Sequence, residues 1–201
     1  MVNMPKVIPE YKEEAKSKIV EAARIVFAKK GYHDATMDDV AKEVGVSKGA
    51  LYSYFKSKES ILKEIYLQSH QNLRAIIVSA CEKHDLVLAL EEVYAMITER
   101  FKGSLHTHFE EVALASHDNK IRRIIMNDYQ RDVETVQAFV EEKMKQGLIR
   151  TDVDAQTLAG LFTALFLGTM EKIVLGFANQ DVHDQWIKSM MLILGKTNRT
   201  N

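Results

Sequence analysis

Apolar residues recur at helical spacing along almost the whole chain. Within residues 13–30, Ile19, Ala22, Ala23, Val26 and Phe27 form one stripe. Gly31 follows two lysines and predicts a helix stop, because glycine accepts the left-handed conformation at that point. Thr36, with Asp39 three residues on, predicts the capped start of a second helix whose Val40, Ala41 and Val44 share a face. Gly45 ends it, Val46 is placed to plug the corner, and Ser47 caps a third helix reaching about Tyr54 or Phe55. Ser57 predicts the start of a fourth, continuing to about Lys83. Beyond it the pattern predicts helices near 86–102, 105–116, 119–146, 154–177 and 182–195. Their starts fall at Asp85, Ser104, Asp118 and Asp154, and their stops at Gly103, Gly147 and Gly195.

Composition agrees with an all-α fold. Both prolines, Pro5 and Pro9, lie in the first nine residues, so nothing later breaks a helix. Asn-Gly and Asp-Gly hairpin turns and sustained period-two alternation are absent from the sequence. The expected architecture is an N-terminal three-helix helix-turn-helix unit joined through the fourth helix to a C-terminal helical bundle. Residues 1–12 read as a flexible tail, 13–60 as the first domain, 61–196 as the second and 197–201 as a tail. The single cysteine, Cys81, rules out an internal disulfide and reads as a small buried hydrophobe in a reducing cytoplasm. The most apolar run, 158–170, is thirteen residues, too short to span a bilayer, and is expected to be a core helix with no membrane role.

Charge changes the picture in one place. The chain has a formal net charge of −1, yet between Glu43 and Glu59 there is no acid while Lys48, Lys56 and Lys58 fall in that window. Residues 1–60 carry 11 Lys or Arg against 9 Asp or Glu, and the remainder 16 against 19. On the third helix Leu51 and Phe55 lie at the apolar centre, flanked by Ala50 and Tyr54, while Lys48, Gly49, Tyr52 and Ser53 share a polar face. Two short helices around a glycine turn form a helix-turn-helix, whose second helix enters the DNA major groove. Gly49 fits close backbone approach there, and tyrosine hydroxyls and lysines can hold phosphates.

The run "IVEAARIVFAKKGYHDATMDDVAKEVGVSKGALYSYFKSKESIL" resembles the DNA-binding domain of the tetracycline-repressor (TetR) family of regulators. The resemblance covers about residues 14–65 and is dense: "AA...F...G" in the first helix, "T...VA...GVS" through the second and its turn, then "LY.YF..KE". It implies that Thr36 caps the second helix near the DNA backbone and that Ser47, Lys48, Gly49 and Ser53 face bases. It further implies that Tyr52 and Tyr54 hold phosphates, and that Lys58 caps the contact from the fourth helix. Tyr54 stands where the family often has histidine. The implied activity is that of a cytoplasmic homodimer on a double-stranded operator, a repressor released by a small-molecule effector. The alternative is a ligand- or metal-binding helical sensor whose DNA binding is not its main activity.

Outside that run, physics carries the reading. Gly160, Ala164 and Gly168 recur every four residues and let another helix pack close. With Trp186, Ile187, Met190, Met191 and Leu194 they are the candidate dimer face. Tyr94, Phe101, Phe109, Met126, Tyr129, Phe166 and Met170 are candidate pocket residues, each more simply read as core. Arg122, Arg123 and Arg131 suit an anionic ligand such as an acyl-coenzyme A, or equally a solvated surface. His106, His108, Glu110 and Glu111 read as a solvated helix face, since histidines two apart point away from each other on a helix and cannot share a metal. Phosphate-cradling glycine loops, nucleophile elbows and paired-cysteine motifs are missing, so neither a cofactor nor an enzyme is expected.

Overall fold

The computed structural model describes residues 9–101 and 105–195, with the side chains of 9–11, 96, 97, 100, 101 and 106 left aside. Phe101, His106, Gly103 and Ser104 therefore lie, in side chain or altogether, outside the described residues. Among those described, nine α-helices follow one another: α1 (Pro9–Lys30), α2 (Met37–Val44), α3 (Lys48–Tyr54), α4 (Lys58–Cys81), α5 (Leu86–Phe101), α6 (Leu105–Ala115), α7 (Asn119–Lys145), α8 (Ala155–Val174) and α9 (Asn179–Leu194). The fold is all-helical, as the periodicity indicates.

Two compact units result. The first holds the chain up to Leu67 together with His106–Ile124; the second holds Gln68–Leu105 and the chain from Ile125 onward. In the first, Ile19, Val20, Ala23, Val26 and Phe27 of α1 are buried with Val40, Ala41, Leu51, Phe55, Ile61 and Leu62. Helix α1 starts four residues earlier than its apolar stripe suggests. Pro9 opens it, which costs nothing because the first-turn N–H groups have no intrahelical acceptor.

In the second unit, Leu90, Val93, Phe139, Val140, Leu158, Phe162, Trp186 and Met190 form the core. Helix α8 stops at Val174, short of the expected 177, because Gly176 takes φ +83°. Helix α9 starts at Asn179, earlier than expected, with no side-chain cap from Ala178. Among the described residues α8 is the one helix long and apolar enough to cross a membrane by length and composition. It is a core helix: Leu158, Ala159, Phe162 and Met170 are buried inside the unit.

Lys143 has no exposed surface at all. Its Nζ donates to Cys81 O at 3.0 Å, to Lys83 O, and to Gln146 Oε1 at 3.1 Å. It thereby satisfies carbonyls left unpaired where α4 ends. Burial pulls its pKa down. Cys81 is half-buried, and burial pushes its thiol pKa up, so it is no activated nucleophile.

Candidate nucleic-acid interface

The first unit builds a helix-turn-helix from local signals. Thr36 Oγ1 accepts from Asp39 N–H at 3.1 Å, and Asp39 Oδ2 accepts from Thr36 N–H at 3.0 Å, a reciprocal capping box. Lys30 of α1 donates to Asp39 Oδ1 at 2.6 Å, so the box is tied to the preceding helix. The bonds from Lys30 and Thr36 hold the Asp39 carboxyl well below its usual range, at about 2. Gly45 takes φ +79°, where its N–H reaches Ala41 O and Lys42 O, and Val46 N–H reaches Ala41 O at 3.0 Å. This satisfies the last carbonyls of α2 and turns the chain sharply. Val46 does not plug the corner as expected. It is 39% exposed, because the backbone bonds alone close the turn.

Ser47 Oγ then caps α3 by accepting from Ala50 N–H at 3.2 Å. Leu51 and the following Phe55 anchor the helix at 0% and 4% exposure. Ser47, Lys48, Gly49 and Ser53 are exposed and Tyr52 half-exposed, so the polar face expected from spacing does point outward. Ser53 Oγ donates back to Ala50 O at 2.6 Å. Tyr54 lies on the α1 side, lining a groove of about 310 Å3 with Ala15 and Ile19 of α1 and Val44, Val46 and Ala50.

Each lysine of the acid-free window has found a partner. Lys48 pairs with Asp38 at 2.8 Å, ten residues earlier and invisible to a count along the window. Lys56 donates to Tyr52 O at 2.8 Å. Lys58 donates to Tyr32 O at 2.7 Å and His33 O at 2.9 Å, and lies 4.8 Å from the centre of the Tyr32 ring. Burial lowers the Lys58 pKa. Among the described residues its third N–H has no hydrogen-bond acceptor.

Residues of α6 were missed as part of this unit. Glu110 and Glu111 are not a solvated face. Glu110 accepts from Tyr32 N–H and His33 N–H, both at 2.9 Å. Glu111 is 5% exposed and accepts from Tyr66 O–H at 2.7 Å. Burial pushes its carboxyl up to about 7, against the pull of Tyr66 and Arg24 and with the help of the Glu110 charge. Burial lowers the His108 pKa, and its Nδ1 lies 3.3 Å from the Tyr66 hydroxyl. Arg122 caps the end of α6 through Ala115 O at 2.9 Å and Ser116 O at 2.8 Å, so its guanidinium is engaged within the chain. Groups of three or more metal-binding side chains are absent among the described residues.

Residues 19–65, which span this helix-turn-helix, match the sequence model of the family described as bacterial regulatory proteins, tetR family. The chain is 29% identical over 163 residues to YfiR, an HTH-type transcriptional regulator of Bacillus subtilis, covering 79% of each chain. Its fold matches Salmonella enterica GusR with a TM-score of 0.79 at 22% identity, over 94% of this chain and 98% of that one. It also matches FadR from Bacillus subtilis, solved with stearoyl-CoA, with a TM-score of 0.70 at 20% identity over 89% and 97%.

Its helix-turn-helix is that of the TetR family. The chain is an HTH-type transcriptional regulator, and that family is one of DNA-binding proteins and not of enzymes.

In this regulator the candidate pocket residues are dispersed. Tyr94 and Met170 are buried in the second unit, and Phe166 packs against its core. The Tyr94 ring meets His183 edge-on at 4.8 Å and Trp186 at 5.3 Å. Met126 and Tyr129 are exposed on α7, and Phe109 lies in the first unit. The candidate dimer residues divide by face. Trp186, Met190 and Leu194 are at most 1% exposed within a single chain, so they have no surface left for a partner; the apolar stripe they form belongs to the chain's own core. Gly160 and Gly168 have open space where a Cβ would stand. Ala164 and Leu161 are exposed beside them, and Leu192 is 80% exposed on α9.

Proposed function

We propose that this regulator is a cytoplasmic homodimeric repressor that reads a palindromic operator through α3 and is released by a small-molecule effector held in the second unit. The observation that carries it is the division of α3: Leu51 and Phe55 are locked inside, while Ser47, Lys48, Gly49, Tyr52 and Ser53 are presented outward from a capped N-terminus. In this reading Ser47, Lys48, Gly49 and Ser53 approach base edges, and Thr36, Tyr52, Tyr54 and Lys58 serve the phosphates. Lys48 is free to exchange Asp38 for DNA, because an exposed ion pair is worth only about 0–1 kcal/mol.

Dimerisation uses the outer face of α8 and α9. Gly160, Ala164 and Gly168 admit close helix approach, and Leu161, Ile187, Met191 and Leu192 supply apolar contact. For the effector, acyl-coenzyme A thioesters are the first class to test, since FadR was solved with stearoyl-CoA. Effector binding would favour a state whose two recognition helices no longer fit adjacent half-sites.

The test is selection of bound sequences from a random duplex pool, beside a Tyr52→Ala/Lys58→Ala variant. Enrichment of a two-fold-symmetric site, lost in the variant, is the expected result. A folded protein that enriches no site would refute the reading. Titrating palmitoyl- or stearoyl-CoA against affinity for the selected site tests the effector. Binding of the thioester with unchanged DNA affinity would exclude that class.

A further inference from the structure

The two residues after Gly31 are gripped on both edges. Glu110 of α6 takes the N–H groups of Tyr32 and His33, each at 2.9 Å, one on each carboxylate oxygen. Lys58 of α4 takes the two carbonyls of the same residues, at 2.7 and 2.9 Å. Backbone conformation is built around this grip. Gly31 sits at φ +80°, and a Cβ there would lie only 2.9–3.2 Å from the Glu110 carboxylate. The gripped pair leads within three residues to Thr36, the cap of α2. The bonds join positions 78 and 77 residues apart in sequence, so they are not a by-product of local chain geometry.

We infer that Glu110 is a positioning residue for DNA recognition: it fixes the α1–α2 turn, and through Thr36 the placement of α2 and α3, without touching DNA. This rests on the regulator reading above. The physical reason is that binding groups must be held to within about 0.5 Å of their working geometry, and groups behind them do the holding. A carboxylate accepting two backbone N–H groups is a short, charge-assisted clamp, stiffer than the neutral turn bonds around it.

Electrostatics separates this role from the simpler ones, because it has the opposite sign. Removing a negative charge near a DNA-binding surface favours association with phosphates in general. Positioning requires that the same change weaken binding to the cognate site. Glu110→Gln is the informative variant: its amide has one oxygen to accept with and presents an N–H2 where the second backbone N–H points. Glu110→Asp is the second variant, keeping the charge but shortening the reach.

The experiment measures affinity of the purified full chain for the duplex selected by the wild type and for an unrelated duplex, together with amide hydrogen exchange. For both variants, exchange at Tyr32 and His33 should quicken about tenfold or more as the clamp opens, with the α1 and α4 core still protected. Affinity for the selected site should fall about tenfold, while affinity for the unrelated duplex stays level or, in Glu110→Gln, rises. If exchange quickens but selected-site affinity stays within twofold, Glu110 is structural only and the inference fails. Unchanged exchange would equally overturn it, by showing that the clamp does not hold the turn. Should the wild type select no site at all, the regulator reading is what fails, and the inference goes with it.

Discussion

Lys58 in the first unit and Lys143 in the second perform the same chemistry in different surroundings. Each turns its ammonium onto two backbone carbonyls at or just beyond a helix end, and each lies over an aromatic ring, Tyr32 at 4.8 Å and Phe139 at 5.7 Å. Lys143 has no exposed surface and gives its third N–H to Gln146. Lys58 is half-exposed, and among the described residues its third N–H has no hydrogen-bond partner. A buried, saturated lysine can only support the fold. A half-exposed one with a donor to spare supports the turn and still has something to offer a phosphate.

That contrast is broken most severely by Lys143→Ala. Leaving a cavity and stripping the Lys83 carbonyl of its donor, with Cys81 O kept only by Gln146, should cost about 3 kcal/mol in urea unfolding. Operator affinity, measured where the variant is folded, should stay within twofold of wild type. Lys143→Met, which fills the volume without the hydrogen bonds, should lie between the two.

The next effect belongs to Glu111, whose carboxyl is raised to about 7 in the folded protein. Between the ordinary carboxylate value and 7 the folded chain holds a proton that the unfolded chain has released. Its contribution is therefore fully present in acid and is lost as pH rises through 7. Glu111→Gln keeps an acceptor for Tyr66 and cannot ionise. It should be more stable than wild type at pH 8 by on the order of 2 kcal/mol, with the advantage gone near pH 4. Equal stabilities at pH 8 would show that the buried carboxyl ionises at no cost. Asp39 runs the other way: held at about 2, it supports the capping box at neutral pH and lets go only as pH falls through that value.

Lys58→Ala should cost only about 1 kcal/mol of stability, the usual net worth of such bonds at a half-exposed site. It should nonetheless weaken the selected duplex about tenfold and reduce the salt slope by about 1. The smallest stability effect, within about 0.5 kcal/mol, is expected for Leu192→Lys on the outer face of α9. Its consequence is in assembly: if α8 and α9 form the proposed dimer face, sedimentation should show dimers for the wild type and monomers for the variant.

What the sequence made legible follows from how local each signal is. The ends of α2 and α3 could be read because Thr36, Asp39, Gly45 and Ser47 act on residues within a few positions. The polar face of α3 followed from its own spacing. The start of α9 could not be read, since Ala178 provides no side-chain cap. Glu110 and Glu111 look like surface residues in sequence because Tyr32 and Tyr66, which take them inside, lie 78 and 45 positions away. Periodicity showed that Trp186, Met190 and Leu194 share an apolar face but not whose core that face enters. An apolar stripe is the same whether it meets its own chain or a second copy.

The central claim is that two α3 helices, held by a symmetric dimer, read two half-sites together. Half-sites so read must lie about one DNA turn apart, or a multiple of it. The measurement is affinity for the selected duplex against the same duplex with about five base pairs inserted at its centre, which rotates one half-site to the opposite face. The account predicts that the insertion lowers affinity to that of a single half-site. Affinity unchanged by the insertion would contradict it, because the half-sites would then not be read by one rigid pair of helices.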